Sequence, residues 1–206
     1  MDREGIIKFS YRCTPERDKY PDIEESLIGL RNHLWELKLV GERDGVGYGN
    51  VSVRTPAGTF LITASQTGHL RAIGPEHLVE IVRYNLRKNF VECRGEYPPS
   101  SESLTHASAY EGNGEIGCIA HIHDSLLWRR LYGRVPTTPD YAEYGTVELS
   151  MEVRSIVSTV RDLPVVIVMG GHRDGLLFAG RDCGEVRELI DEFYSLQREN
   201  RNVSAR

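Results

Sequence analysis

A layered α/β sandwich is the fold class this sequence predicts, and three observations carry it. Helical periodicity of apolar residues appears near both ends of the chain, over 23–37 and 181–198, and again over 145–160. Short apolar runs at 116–122 and 163–169 read as buried strands between those helices. The length, 206 residues, is that of one domain, since domains cluster at about 100–200 residues. Helices that are apolar on one face and strands that are apolar on both must be stacked in layers to bury those surfaces. The expectation is a single domain over 1–206, with a polar arm over 1–20 and a polar tail over 199–206.

In chain order, Asp22 reads as the N-cap of the first helix. Ile23, Leu27, Leu30, Leu34 and Leu37 form its buried stripe. His33 lies in that helix as a boundary residue. Gly41 closes it, and the glycine-rich segment 43–50 runs into a strand at 51–54. The turn signal Thr55-Pro-Ala-Gly58 leads to a strand at 59–63, followed by a polar loop at 64–68. Two loops rich in Gly, Ser and Thr after strands are what an anion cradle needs: little bulk and many N–H and hydroxyl donors. Their spacing matches neither a P-loop nor a dinucleotide fingerprint. The segment 75–90 is compatible with a short helix or with a strand pair. After the rigid loop 96–102, Ser100 or Ser101 is expected to cap a helix over 102–111, with His106 one turn after Glu102. A short helix at 125–132 carries Trp128. The turn 170–175 holds His172 between strands at 163–169 and 176–179.

Composition excludes several classes. Hydrophobic residues make up 40% and charged residues 27%, ordinary for a globular protein. The net charge of −5 and the lack of a basic stripe argue against a nucleic-acid partner. The first residues lack the apolar core of a secretory signal, and no apolar run reaches membrane-spanning length. Cys13, Cys93, Cys118 and Cys183 are widely separated with no Cys-x-x-Cys pair, which suggests no particular disulfide. Cys118 reads as a small core residue. A cytoplasmic location fits these features.

Chemistry concentrates at His121-Ile122-His123. At strand spacing both imidazoles face the same side at the end of an apolar strand. Two neutral imidazoles so placed can chelate a divalent ion such as Zn²⁺. The plainer alternative is a pair of half-buried histidines bonded to backbone.

The chain resembles the class II aldolase/adducin family. The matching order is Gly49-Asn50-Val51-Ser52, Ile62-Thr63, and Pro99-Ser100-Ser101-Glu102 with His106. It continues with Ala120-His121-Ile122-His123, Tyr144-Gly145-Thr146 with Glu148-Leu149, and His172 before Gly175. The resemblance implies a three-layer α/β/α sandwich around a central, largely antiparallel sheet, and a homotetramer. It implies zinc, or another divalent transition metal, on His121, His123 and His172. Glu102 would be the acid/base. Gly49, Asn50, Ser100 and Ser101 would hold a substrate phosphate, with Ser65 and Gly68 from the second loop. That loop is two residues longer than the family's usual one, so Ser65 and Thr67 both stand as candidates for its hydroxyl. The segment between His123 and Tyr144 is shorter than in the sugar-phosphate aldolases, where an insert supplies a catalytic tyrosine; Tyr132 and Tyr141 are the nearest candidates. The function implied is retro-aldol cleavage of a small phosphorylated sugar through a zinc-stabilised enediolate. The alternatives are a 4-epimerase, dehydratase or decarboxylase in the same site, or a non-catalytic adducin-like module.

Overall fold

The structure, a computed structural model, describes residues 5–204, with side chains described through residue 195. The order of elements is β1 (Ser10–Thr14), α1 (Pro21–Glu36), β2 (Gly41–Arg43), β3 (Val46–Tyr48), β4 (Asn50–Arg54) and β5 (Phe60–Thr63). Then come β6 (Leu78–Asn85), β7 (Phe90–Arg94), α2 (Ser103–Gly112), β8 (Cys118–His123) and α3 (Ser125–Leu131). The last are α4 (Val147–Thr159), β9 (Val165–Val168), β10 (Gly175–Gly180) and α5 (Cys183–Ser204). The described strands form one eight-stranded sheet in the order β1-β7-β6-β5-β4-β8-β10-β9, plus a small β2-β3 hairpin. Only the β1–β7 pair in the large sheet is parallel.

The sheet is covered on both faces, which is the three-layer sandwich that the resemblance implied. Along β8, Cys118, Ala120 and Ile122 join one core with Leu27, Leu30 and Leu34 of α1 and Val186 and Ile190 of α5. Ile119 belongs to the other core, with Leu104 and Ala107 of α2 and Leu149, Val153 and Val157 of α4. Every side chain of β8 is buried, because both faces are roofed by helices. Phe178 on β10 is fully buried in the first core, its ring 6.1 Å from that of Phe193. Phe178→Ala should lower unfolding free energy by about 3–5 kcal/mol, the usual cost of such a cavity. Urea unfolding of the two proteins checks this.

Several local readings are corrected. Helix α1 starts at Pro21, with Tyr20 rather than Asp22 at the N-cap. Proline is preorganised for the first helical position, and Tyr20 N–H donates to Glu24 Oε1 at 3.0 Å. Helix α2 begins after Glu102, with no side-chain cap from Ser100 or Ser101. Instead Ser103 N–H and its hydroxyl both donate to Ser100 O, closing a turn just before the helix. The ambiguous segment at 75–90 is a single 3-10 turn, Pro75–His77, followed by the start of the β6–β7 pair. Asp124 caps α3 by accepting from Leu126 N and Leu127 N, a role the sequence reading did not assign.

The lead-in read as an arm over 1–20 contains the edge strand β1, and α5 continues through Ser204 into the segment read as a tail. Residues 1–4 and 205–206 of those segments lie outside the described residues. Pairing of β1 with β7 sets Cys13 directly opposite Cys93, with Cα atoms 4.4 Å apart, and a disulfide joins them. No spacing rule links cysteines 80 residues apart, so the bond follows from strand register alone. Cys118 and Cys183 are free and buried. Among the described residues, no helix is long and apolar enough to cross a membrane.

Candidate metal centre

β8 delivers His121 and His123 to one face because strand side chains alternate, as the spacing predicts. His172 arrives from the turn between β9 and β10, folded back so that its N–H donates to Met169 O. Gly175 opens the space for this. A Cβ there would lie 2.4 Å from His172 Cδ2 and 3.1 Å from His121 Cε1. The three Nε2 atoms converge: His123 to His121 at 3.0 Å, His123 to His172 at 3.1 Å and His172 to His121 at 3.3 Å. All three residues are buried.

The donor set fits a divalent cation. His121 Nδ1 lies 3.1 Å from Leu176 O, an acceptor only, so the proton sits on Nδ1 and Nε2 presents its lone pair inward. Three imidazole nitrogens on a tetrahedral ion with bonds of about 2.0–2.1 Å would be about 3.3–3.4 Å apart, close to the spacing here. The cluster is therefore able to bind a metal.

Glu102 stands beside it, at the N-terminal boundary of α2 and 2% exposed. Its Oε2 lies 3.2 Å from His121 Nε2 and 3.5 Å from Asn50 Nδ2. Oε1, like Asn50 Oδ1, is buried without a hydrogen-bond partner. Behind them His106 Nδ1 is 2.7 Å from Ser52 Oγ, which is 2.8 Å from Tyr110 OH. Burial holds His106 neutral, its pKa pushed down to about 3.

A cavity opens over the cluster, and its walls gather most of the residues singled out in the sequence. Gly49, Asn50, Ser65, Gly68, Ser100, Ser101, Glu102, His121 and His172 all line it. Gly49 has φ +74°, and a Cβ there would lie 3.0 Å from His121 O, so its first role is to let β4 close on β8. Of the two candidate hydroxyls in the second loop, Thr67 donates to Ala64 O at 2.9 Å and is buried, whereas Ser65 is half-buried on the wall. The loop turns at Gln66, which adopts φ +62°.

Tyr132 and Tyr141 are absent from the cavity wall. Their hydroxyls are engaged by Asp140 and Glu152 on the exposed surface. Two other tyrosines are present instead. Tyr48 lies with its ring 5.4 Å from that of His123, and the buried Tyr144 lies 5.1 Å from that of His172. The signals for them were the tyrosine inside Gly47-Tyr48-Gly49 and the quoted Tyr144-Gly145-Thr146 motif.

Comparison with known proteins agrees with this architecture. The sequence model of the "Class II Aldolase and Adducin N-terminal domain" family matches residues 32–198. A fluorothreonine transaldolase of Streptantibioticus cattleyicolor is 27% identical over 147 residues, 70% of this chain. The aligned region spans only 21% of that relative's length. Among solved structures, YgbL of Klebsiella pneumoniae, described as a putative aldolase/epimerase/decarboxylase, superposes with a TM-score of 0.65 at 17% identity. That alignment covers 86% of this chain and 87% of the other. The L-fuculose-1-phosphate aldolase of Thermus thermophilus gives 0.63 at 19% identity, covering 90% and 97%. A family match running over 32–198 of the 206 residues makes the chain a member of the Class II Aldolase and Adducin N-terminal domain family.

Proposed function

We propose that this chain is a zinc-dependent lyase of the aldolase type, cleaving a small phosphorylated sugar. The observation that carries the reading is the convergence of three Nε2 atoms within 3.0–3.3 Å, with Glu102 Oε2 3.2 Å from one of them. Bound there, a divalent ion supplies a Lewis acid that polarises a carbonyl and offsets developing negative charge. His121, His123 and His172 hold it. Glu102 takes and returns a proton at Oε2, with Asn50 Nδ2 fixing the carboxylate. Ser65, Ser100 and Ser101, with Gly49 and Gly68, bind the phosphate end from the cavity wall. The recessed site, walled by Tyr48 and Tyr144, limits water around the reacting carbon. A homotetramer in solution is part of the same proposal.

A second reading is favoured by the outward placement of Tyr132 and Tyr141. Without a phenol from that segment, the same carboxylate and metal would serve an epimerase, dehydratase or decarboxylase. A non-catalytic module is disfavoured by the complete histidine set.

The test is a panel of phosphorylated ketoses offered to the zinc-loaded chain, assayed for release of dihydroxyacetone phosphate and an aldehyde. Stoichiometric metal without cleavage of any of them supports the second reading; failure to bind metal at all removes both. Once a substrate is found, Ser101→Ala should raise KM about tenfold or more, because hydrogen bonds to charged groups are worth about 1.5–3 kcal/mol. Ser101 provides no helix cap, so thermal stability should stay unchanged.

A further inference from the structure

The segment preceding β1 borders the cavity over the metal centre. Gly5 lines the cavity, beside Gly47 and Gln66. Ile7 and Phe9 are packed against the α2/α4 core, and Lys8 between them reaches Tyr144 of the same core. Lys8 Nζ donates to Tyr144 O at 2.9 Å and sits 4.0 Å above the Tyr144 ring. The same amine is 3.7 Å from Glu143 Oε2. The Tyr144 ring in turn packs 5.1 Å from the ring of His172. A chain of direct contacts therefore runs from Lys8 to a histidine of the cluster.

Besides the packing of Ile7 and Phe9 and the Lys8 contacts, the segment is fastened where it joins β1. Asn89 Nδ2 donates to Lys8 O, and Ser10 N–H donates to Asn89 O, which starts the pairing of β1 with β7. β1 is an edge strand whose residues are mostly exposed, so it contributes little burial of its own. The covalent tie is Cys13–Cys93, with Cys93 buried and Cys13 partly open to solvent. The family match begins at residue 32, so the strap and half of its clasp lie outside the matched part of the chain.

We propose that Gly5–Phe9 is a strap closing the three-histidine site, that Lys8 is a positioning residue for Tyr144 and through it for His172, and that Cys13–Cys93 is the clasp whose reduction opens the site. The step balances with a dithiol as reductant. One thiolate attacks the sulfur of Cys13, the partly open residue of the pair, the S–S bond breaks, and the mixed disulfide resolves. Cys13 and Cys93 end as thiols, and the reductant leaves as its own disulfide. Freed of the bond, the solvent-exposed edge strand β1 gives up little buried area on detaching, and the Lys8 contact is lost when Phe9 leaves its packing with it.

The strap rests on the metal reading for only one of its two readouts. In the first, zinc-loaded full-length protein is mixed with excess coloured chelator and the rate of zinc transfer is followed. Oxidised protein, protein reduced with a water-soluble phosphine, Lys8→Ala, Lys8→Arg and Cys13→Ser are compared. Reduction, Lys8→Ala and Cys13→Ser should each speed release about tenfold or more, as local opening does without global unfolding. Lys8→Arg should release zinc at nearly the parent rate, and phosphine should have no further effect on Cys13→Ser. In the second readout, amide exchange at 5–9 and 143–146 should quicken on reduction and in Lys8→Ala, while β8 and α2 stay protected. Exchange needs no metal, so a chain that binds no zinc loses the proposed function and leaves the strap to be judged by exchange alone. Should Cys13→Ser fail to fold, reduction of already folded protein gives the same comparison. Unchanged rates in both readouts, or faster exchange spread evenly over the whole chain, would overturn the strap.

Discussion

Glu102→Gln should bind zinc like the parent and turn over at least about a hundredfold more slowly, within the range of about 10²–10⁴ set by loss of a general base. The substitution keeps the shape of the side chain, and the amide oxygen can still accept from Asn50 Nδ2, which now lies 3.5 Å from Oε2. It removes a carboxylate 3.2 Å from His121 Nε2. A merely structural carboxylate at the start of a helix contributes about 0.3–1 kcal/mol to stability and nothing to chemistry. The two roles therefore separate cleanly. The measurements are kcat on the ketose identified in the panel, zinc content, and deuterium uptake from solvent at the donor carbon of the product ketone. Uptake should vanish with the carboxylate. Normal turnover by this variant would assign the proton to another group, with Tyr48 and Tyr144 on the cavity wall as candidates.

His123→Ala should weaken zinc affinity by more than about a hundredfold, since even partners behind the ligands cost about 10–100-fold when removed. His123 Nε2 is 3.0 Å from one partner nitrogen and 3.1 Å from the other, so its loss leaves only two imidazoles facing each other. The remaining pair offers an open and incomplete set. His123 is also the most exposed of the three, at 8% against 2% for His121 and 4% for His172. Its truncation should leave the circular dichroism spectrum unchanged. Competition with a chelator of known affinity reads the constant directly. Equal affinity in parent and variant would mean that the ion binds elsewhere.

How much of this was legible beforehand depended on whether the signal was local. Helical stripes such as Leu27, Leu30 and Leu34 announce themselves, because their spacing is the spacing of one buried face. His121 and His123 could be placed side by side from alternation alone. His172 stood out as a third candidate ligand from its tight turn, but its joining that pair rested on the resemblance, because nothing within the turn 170–175 points across the sheet. The disulfide and β1 were missed for a related reason. Five mixed residues carry no apolar alternation at an exposed edge, and the partner strand begins 76 residues later. The tyrosines show a subtler limit. Tyr132 and Tyr141 are near the histidines in sequence, yet the helix α3 and its following turn carry them outward. Tyr144, three residues beyond Tyr141, is turned inward to within 5.1 Å of the His172 ring.

The register of β8 limits how this sequence can change over time. β8 is paired on both sides, with His121 opposite Asn50 of β4 and Leu177 of β10. Inserting or deleting a single residue in β8 would exchange its two faces, sending imidazoles into the α1/α5 core and Ile122 into the histidine-lined cavity. The same lesion would break packing and erase the cation ligands together. Change in this strand is thus confined to one-for-one replacement, which leaves positions 121 and 123 in phase on one face.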